Sequence, residues 1–350
     1  MIRAIVRASQ SVLSFLAVLM LAVSLPAVAQ QEEKSQVAQK EIVQLAGADY
    51  WRQVRQGVQG TTTSRSPEHG TLISAPSQPW YILKEKWMSP LGAIAIFGSI
   101  LLVVFAFVVV GPLRLSAART GRKIKRWSRW DRALHWSMAF TFITLALSGL
   151  LLVYGKHSLR PYVSDEIWGF TINLAKQYHN YVGPLFFILL ICVLVKWWRK
   201  SLFKKVDIHW FAKLGGLVGR NKGNHPSAGF SNAGEKVVYW MLIIVGLFAA
   251  GSGLFLDFPI FEQTRREMEL SNLVHMISAL ILICGFIFHI YIGLFGMEGA
   301  LEGMVTGEVD ETWAKEHHDL WYEEVKNQPD KIVEPTDRPK TGGKVNEQST

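Results

Sequence analysis

Four of the ten histidines, His135, His179, His275 and His289, fall inside or at the mouth of long apolar stretches. A strongly polar ring in hydrocarbon is costly, so such a residue is a functional candidate by default. One alone can be a hydrogen-bonded structural residue; four in a pattern say more. His275 and His289 stand fourteen residues apart on one stretch. In a helix that is roughly 21 Å along the axis, and the accumulated turn brings both rings to within about 40° of one direction. A single helix can therefore offer one ligand to each of two sites stacked across a bilayer.

Depth then selects the partners. With the last stretch entering from the outer face, His275 is near that face and His289 near the inner one. His135 opens the second stretch from inside, and His179 opens the third from outside. The pairs that share a depth are His179 with His275 and His135 with His289. Two facing imidazoles supply both axial positions of a haem iron. The stretches hold no carboxylate, and the cysteines form no cluster that would favour zinc or a di-iron centre. Gly149 lies fourteen residues after His135, on the same helical face and at the depth of the outer site. There it lets a flat macrocycle approach the backbone, although small residues also serve helix–helix contact in membranes.

The elements that would position these rings are five spans: Ser89–Leu113, Ala133–Gly155, Gln177–Val195, Val237–Leu256 and Leu270–Met297. Each is long enough to cross a bilayer and lacks Asp, Glu, Lys and Arg. Hydrophobic residues are 49% of the 350-residue chain and charged residues 19%, which excludes a set of soluble domains. The net charge of +9 does not imply nucleic acid, because Lys and Arg flank the apolar blocks rather than forming a basic groove. Both cysteines, Cys192 and Cys284, sit inside apolar runs, so there is no disulfide scaffold, cysteine-ligated iron–sulfur cluster or CxxCH haem attachment.

Ahead of the spans, residues 1–29 read as a secretory signal, with Arg3 and Arg7, an apolar run and Ala27-Val28-Ala29 before Gln30. Residues 30–88 are expected to form a small periplasmic segment without a cofactor motif. Residues 113–132 carry eight Lys/Arg and 196–236 carry nine, against three in 155–176 and two in 257–271. The rich loops belong in the cytoplasm, and a cleaved signal followed by five crossings also puts the C-terminus there. The expected organisation is an all-α integral membrane protein of the bacterial inner membrane: signal peptide 1–29, periplasmic segment 30–88, additional span 89–113, four-helix haem-binding bundle 125–297, and cytoplasmic tail 298–350. The front of the tail, with Trp313, His317-His318 and Trp321-Tyr322, is expected to dock under the bundle, and its end from about Pro329 to be disordered. His69, His157, His209 and His225 read as solvated.

Several motifs resemble the gamma, di-haem cytochrome b subunit of respiratory formate dehydrogenases. They are Arg132-Ala133-Leu134-His135-Trp136, Ser148-Gly149, Tyr178-His179, Leu273-Val274-His275 and Phe288-His289-Ile290-Tyr291. Ser231-Asn232-Ala233-Gly234, Glu302-Gly303-Met304-Val305 and Lys315-Glu316-His317-His318 resemble it too, so the likeness covers about residues 125–325. It implies two b haems and two partner chains: a molybdenum- or tungsten-containing catalytic subunit, where formate is oxidised, and an iron–sulfur subunit. It further implies quinone reduction near the cytoplasmic face, with Asn232, Gly234 and the ligand His289 at the quinone. Asn232 has an amide for a quinone oxygen and Gly234 leaves room for a ring; equally, Ser231-Asn232 can cap the fourth bundle helix. Glu235 stands where Gln is expected in some relatives, and a carboxylate there can relay protons. Related cytochromes serve nickel–iron hydrogenases or sulfur-compound reductases, and a histidine-relay proton transporter is the alternative from another class. Against the last, relays usually include carboxylates, which these spans lack.

Overall fold

The computed structural model describes residues 78–216, 225–260 and 262–334, with Arg52 and Gln56. The signal, residues 30–77 apart from those two, and the tail beyond 334 lie outside the described residues. Five helices are long and apolar enough to cross a membrane: α1 (Pro79–Val110), α2 (Arg129–Ser158), α3 (Asp165–Trp197), α5 (Ala233–Asp257) and α6 (Arg265–Gly296). Between α3 and α5 lies the short α4 (Lys205–Ala212). The protein is a multi-pass membrane protein, and its outward faces carry apolar side chains such as Leu101, Val108, Phe140 and Val195, each about two-thirds exposed or more.

Contacts divide the chain into two units. The first comprises residues 1–83 with 263–269. Within it, Glu267 accepts from the Thr264 amide at 2.7 Å and from its hydroxyl at 2.9 Å, closing the first turn of α6. The second unit, residues 84–262 and 270–350, contains the histidine couples and the cap described below.

The helices run past the apolar stretches because polar caps extend them. Ser128 and Asp131 form a reciprocal capping box at the start of α2. Trp197, at the end of α3, donates its indole N–H to Asp131 at 2.8 Å, tying the two helices together. Helix α3 starts twelve residues before the expected span, capped by Ser164, with Asp165 and Glu166 in the first turn where the helix dipole favours them. His179 is therefore inside a helix rather than at its mouth. Helix α1 likewise begins at Pro79, so the last ten residues of the expected periplasmic segment belong to it.

A dry core of Met138, Phe186, Leu190, Val193, Tyr239, Leu242, Ile243 and Ala250 joins α2, α3 and α5. At one end of the bundle the all-α fold carries one small sheet of three short strands. Strand β1 (Lys123–Lys125) pairs antiparallel with β2 (Glu308–Asp310) on one side and β3 (Ile332–Val333) on the other. Three short helices, α7 (Glu302–Val305), α8 (Glu311–His317) and α9 (Asp319–Val325), complete a cap. Its core is Ile124, Val309, Trp313, Ala314, Trp321 and Val325. Residues 330–334 are thus part of the fold, where β3 fills the free edge of β1.

Candidate functional site

The four span histidines meet as two couples. His179 on α3 and His275 on α6 have ring centres 5.9 Å apart, with planes at 82°. His135 on α2 and His289 on α6 are 6.3 Å apart at 56°. Two iron–nitrogen bonds of about 2 Å plus the radii of two imidazoles span about 6 Å between ring centres. Both couples fit a six-coordinate iron between them.

The ring orientation of the first couple is set by hydrogen bonds. Ser148 donates its hydroxyl hydrogen to the Leu145 carbonyl at 3.1 Å, so its oxygen accepts from His179 Nδ1 at 2.9 Å. His275 Nδ1 lies 2.8 Å from the Ala249 carbonyl, which can only accept. Each ring therefore carries its proton on Nδ1 and keeps the Nε2 lone pair for a metal, an arrangement typical of ligating histidines. In the second couple, His135 Nδ1 is buried with no hydrogen-bond partner.

Two glycines leave the first couple its space. A Cβ on Gly149 would stand 3.2 Å from His179 Cε1, and one on Gly253 would stand 3.0 Å from His275 Cε1. Between them is a mostly apolar cavity of about 420 Å³, lined by Gly149, His179, Gly253 and His275, with Lys84, Lys176 and Asn272 also on its wall. A polar hollow of about 400 Å³ shares Lys176, Asn180, Pro184 and Asp257 with it. An apolar slot with a charged mouth suits a macrocycle with an apolar face and an ionic edge.

Between the couples stand phenylalanines. Phe142 packs on Phe286 with ring centres 4.6 Å apart, and Phe286 packs on His289 at 5.7 Å.

Asn232 is the N-cap of α5: its side chain accepts from the Glu235 amide at 2.9 Å, while Glu235 accepts from the Asn232 amide at 3.1 Å. That use leaves the Asn232 side-chain N–H groups for another acceptor. Gly234 does not leave an open space: a Cβ there would stand 2.9 Å from the Trp210 ring, so an indole already occupies the room expected for a ligand ring. His225 differs from its expected exposure. It is not solvated but stacks edge-on against His317 at 4.0 Å, with its Nδ1 3.2 Å from the Gly215 carbonyl. His157 and His209 are exposed.

Sequence reasoning missed Gly253, the Ala249 carbonyl, Trp210 and Lys84. Gly253 and Ala249 are one turn apart on α5, yet α5 also carries Gly246 and Gly251. Choosing among them needs the helix's rotation, which the sequence does not state.

Residues 126–307, just over half of the chain, match the family of prokaryotic cytochrome b561. The chain belongs to this family. As a cytochrome b of this type it is a haem b protein, and the glycine-lined slot between His179 and His275 has the donors and the space for that group. Curated relatives agree. The chain is 30% identical, over 60% of its length and 97% of the relative's, to the formate dehydrogenase cytochrome b556(fdo) subunit of Escherichia coli K12. It is 27% identical, over 56% and 88%, to the nitrate-inducible formate dehydrogenase cytochrome b556(Fdn) subunit of the same strain. The formate dehydrogenase cytochrome b556 subunit of Haemophilus influenzae is 29% identical over 55% and 79%. In this cytochrome b, helix α1 precedes the region matched by the family.

Proposed function

We propose that this chain is the electron-carrying membrane subunit of a formate dehydrogenase complex in the bacterial inner membrane. It takes electrons from a periplasmic catalytic and iron–sulfur module and carries them through two b haems to quinone near the cytoplasmic face. His179 and His275 hold the outer haem, and His135 and His289 hold the inner one. When bound, each haem supplies a one-electron Fe(III)/Fe(II) couple. The observation that carries this reading is the pair of facing imidazole couples, each with the separation an iron requires. The excess of Lys and Arg flanking the cap end of the bundle orients that end to the cytoplasm.

Asn232, Gly234 and His289 mark the quinone site. The free amide hydrogens of Asn232 suit a quinone oxygen, and Gly234 contributes by letting the Trp210 indole close in as a wall. Glu235, at the head of α5, is the carboxylate that this reading assigns to proton relay.

The test is a purified complex with a haem assay and visible spectra. Two b haems per chain are expected, and His179→Ala or His275→Ala removes one and stops quinone reduction. A variant that kept both haems with unchanged spectra would refute the pairing. Mass spectrometry of copurifying chains checks the client: a hydrogenase large subunit in place of a molybdenum or tungsten enzyme sinks formate as the donor.

A further inference from the structure

Helix α1 lies outside the region matched by the family, yet it is fastened to the bundle at both ends. Near its start, Tyr154 of α2 donates its hydroxyl to the Ser89 carbonyl at 2.8 Å. Gly92 allows that approach: a Cβ there would stand 2.6 Å from the Tyr154 oxygen and 2.8 Å from a Leu280 methyl. At its far end, Phe107 packs on Phe295 with ring centres 6.4 Å apart. Just beyond it, the Leu113 amide donates to Gly296 at 2.9 Å and the Glu298 amide donates to Leu113 at 2.9 Å. Gly92 is buried, and the half-buried positions Lys84, Met88, Ile96, Ser99 and Val103 recur with it three or four apart, so the less exposed residues of α1 share one face.

Lys84 leads that face and lines the cavity of the His179–His275 couple. Pro90 has no amide hydrogen, and the turn before it, Leu83–Met88, is a π-helix, the form often found where a helix is re-aimed for function. The Ser89 hydroxyl donates to the Lys84 carbonyl at 3.0 Å. Among the described residues no carboxylate pairs with the Lys84 ammonium. The same wall carries Lys176, Asp257 and Asn272, and the Asn272 side-chain oxygen is buried with no partner. Two ammonium groups against one carboxylate leave that wall net positive. An apolar slot ending in such a wall fits a ligand whose far edge is anionic, and the two propionates of haem b are such an edge.

We propose that α1 is a wall of the outer haem site and that Lys84 pairs with a haem propionate at the cavity mouth. This role rests on the two-haem reading above. The added helix then tunes and retains the outer haem: a fixed positive charge beside it stabilises the more electron-rich ferrous state.

The experiment is an optical redox titration of the full chain in its purified complex, with the outer haem identified as the one lost in His179→Ala. In Lys84→Gln the outer midpoint shifts downward, the inner midpoint stays, and haem loss in detergent is faster for the outer site. Lys84→Arg keeps the wild-type values. Lys86→Gln, an exposed lysine two residues away on the same helix, also leaves both midpoints unchanged. Two haems with Lys84→Gln indistinguishable from wild type, or an equal shift in Lys86→Gln, overturns the role of Lys84 alone. A wild-type complex with a single haem, unaffected by His179→Ala, overturns the two-haem reading and the role of Lys84 with it.

Discussion

Arg126 Nη2 lies 3.0 Å from both carboxylate oxygens of Glu235, and the same nitrogen donates to the Phe230 carbonyl at 2.7 Å. The guanidinium is almost wholly buried and ringed by Trp127, Phe230, Trp313 and Trp321, each with its centre 5.0–5.8 Å away. One side chain therefore joins the cap, the start of α2 and the head of α5, beside the proposed quinone site. Arg126→Gln removes the cation and leaves Glu235 facing aromatic rings. Losing one partner of a buried pair costs about 3–5 kcal/mol, and partial exposure of Glu235 puts this case at the lower end. Limited proteolysis of residues 302–333 should accelerate, and quinone reduction should fall even where both haems remain.

Gly253 has no spare volume for a side chain, since its Cβ would meet His275 Cε1 at 3.0 Å. Gly253→Val must turn the ring away from the Ala249 carbonyl that orients it. The expected result is a chain that inserts, keeps the spectrum of the inner haem and lacks the outer one. Haem content with low-temperature spectra reads this directly, and a variant retaining both signals contradicts the assigned geometry.

Lys236 Nζ contacts both oxygens of Asp207, at 2.7 and 2.9 Å, with both side chains about 3–4% exposed. The pair fastens α4 to the first turn of α5. Lys236→Met strands a buried carboxylate and should destabilise the fold by about 3–5 kcal/mol. Adding Asp207→Leu should recover much of that, short of about 1 kcal/mol for the cap that Asp207 makes on the Lys204 amide. Thermal unfolding of the two single variants and the double variant tests the coupling. Strict additivity would mean that the ions act independently.

The cap should loosen in acid. His318 is fully buried, with Nδ1 2.8 Å from the Gly229 carbonyl. Burial first, then Arg126, lowers its pKa to about 4, against opposing pulls from Glu235 and Asp319. Burial first, then His225, His318 and Arg126, takes His317 down to about 2. Both rings are neutral in the fold, whereas unfolded they take up protons below about 6.5. Between those limits the unfolded chain binds more protons, so stability is complete above about 6.5 and declines as pH falls toward 4. Fluorescence of Trp313 and Trp321, or hydrogen exchange over residues 308–325, should report this between pH 7 and 4.5. A pH-independent cap would show that these rings are not confined as described.

Local rules made much of this molecule legible. The apolar blocks at Ala133–Gly155, Gln177–Val195 and Val237–Leu256 fall within helices, and those at Ser89–Leu113 and Leu270–Met297 run only just past theirs, because burying an unpaired backbone in hydrocarbon is prohibitive. Asn232 and Glu235 stand three apart, the spacing of a reciprocal helix cap, and the cap is present. Boundaries were less legible: hydropathy does not register the charged turns that carry α3 back to Asp165.

What the amino-acid sequence determined by itself was the membrane class, the helical period and the presentation of His275 and His289 on one face of one helix. These depend on neighbours a few residues apart. Tertiary structure decided that Ser148 and Ala249 orient the rings, that Gly253 clears their space, that Trp210 fills the room at Gly234 and that His225 meets His317 from far along the chain. The reason is physical: each of these contacts depends on how one helix is rotated and at what depth it packs against another, and no local pattern encodes those two quantities.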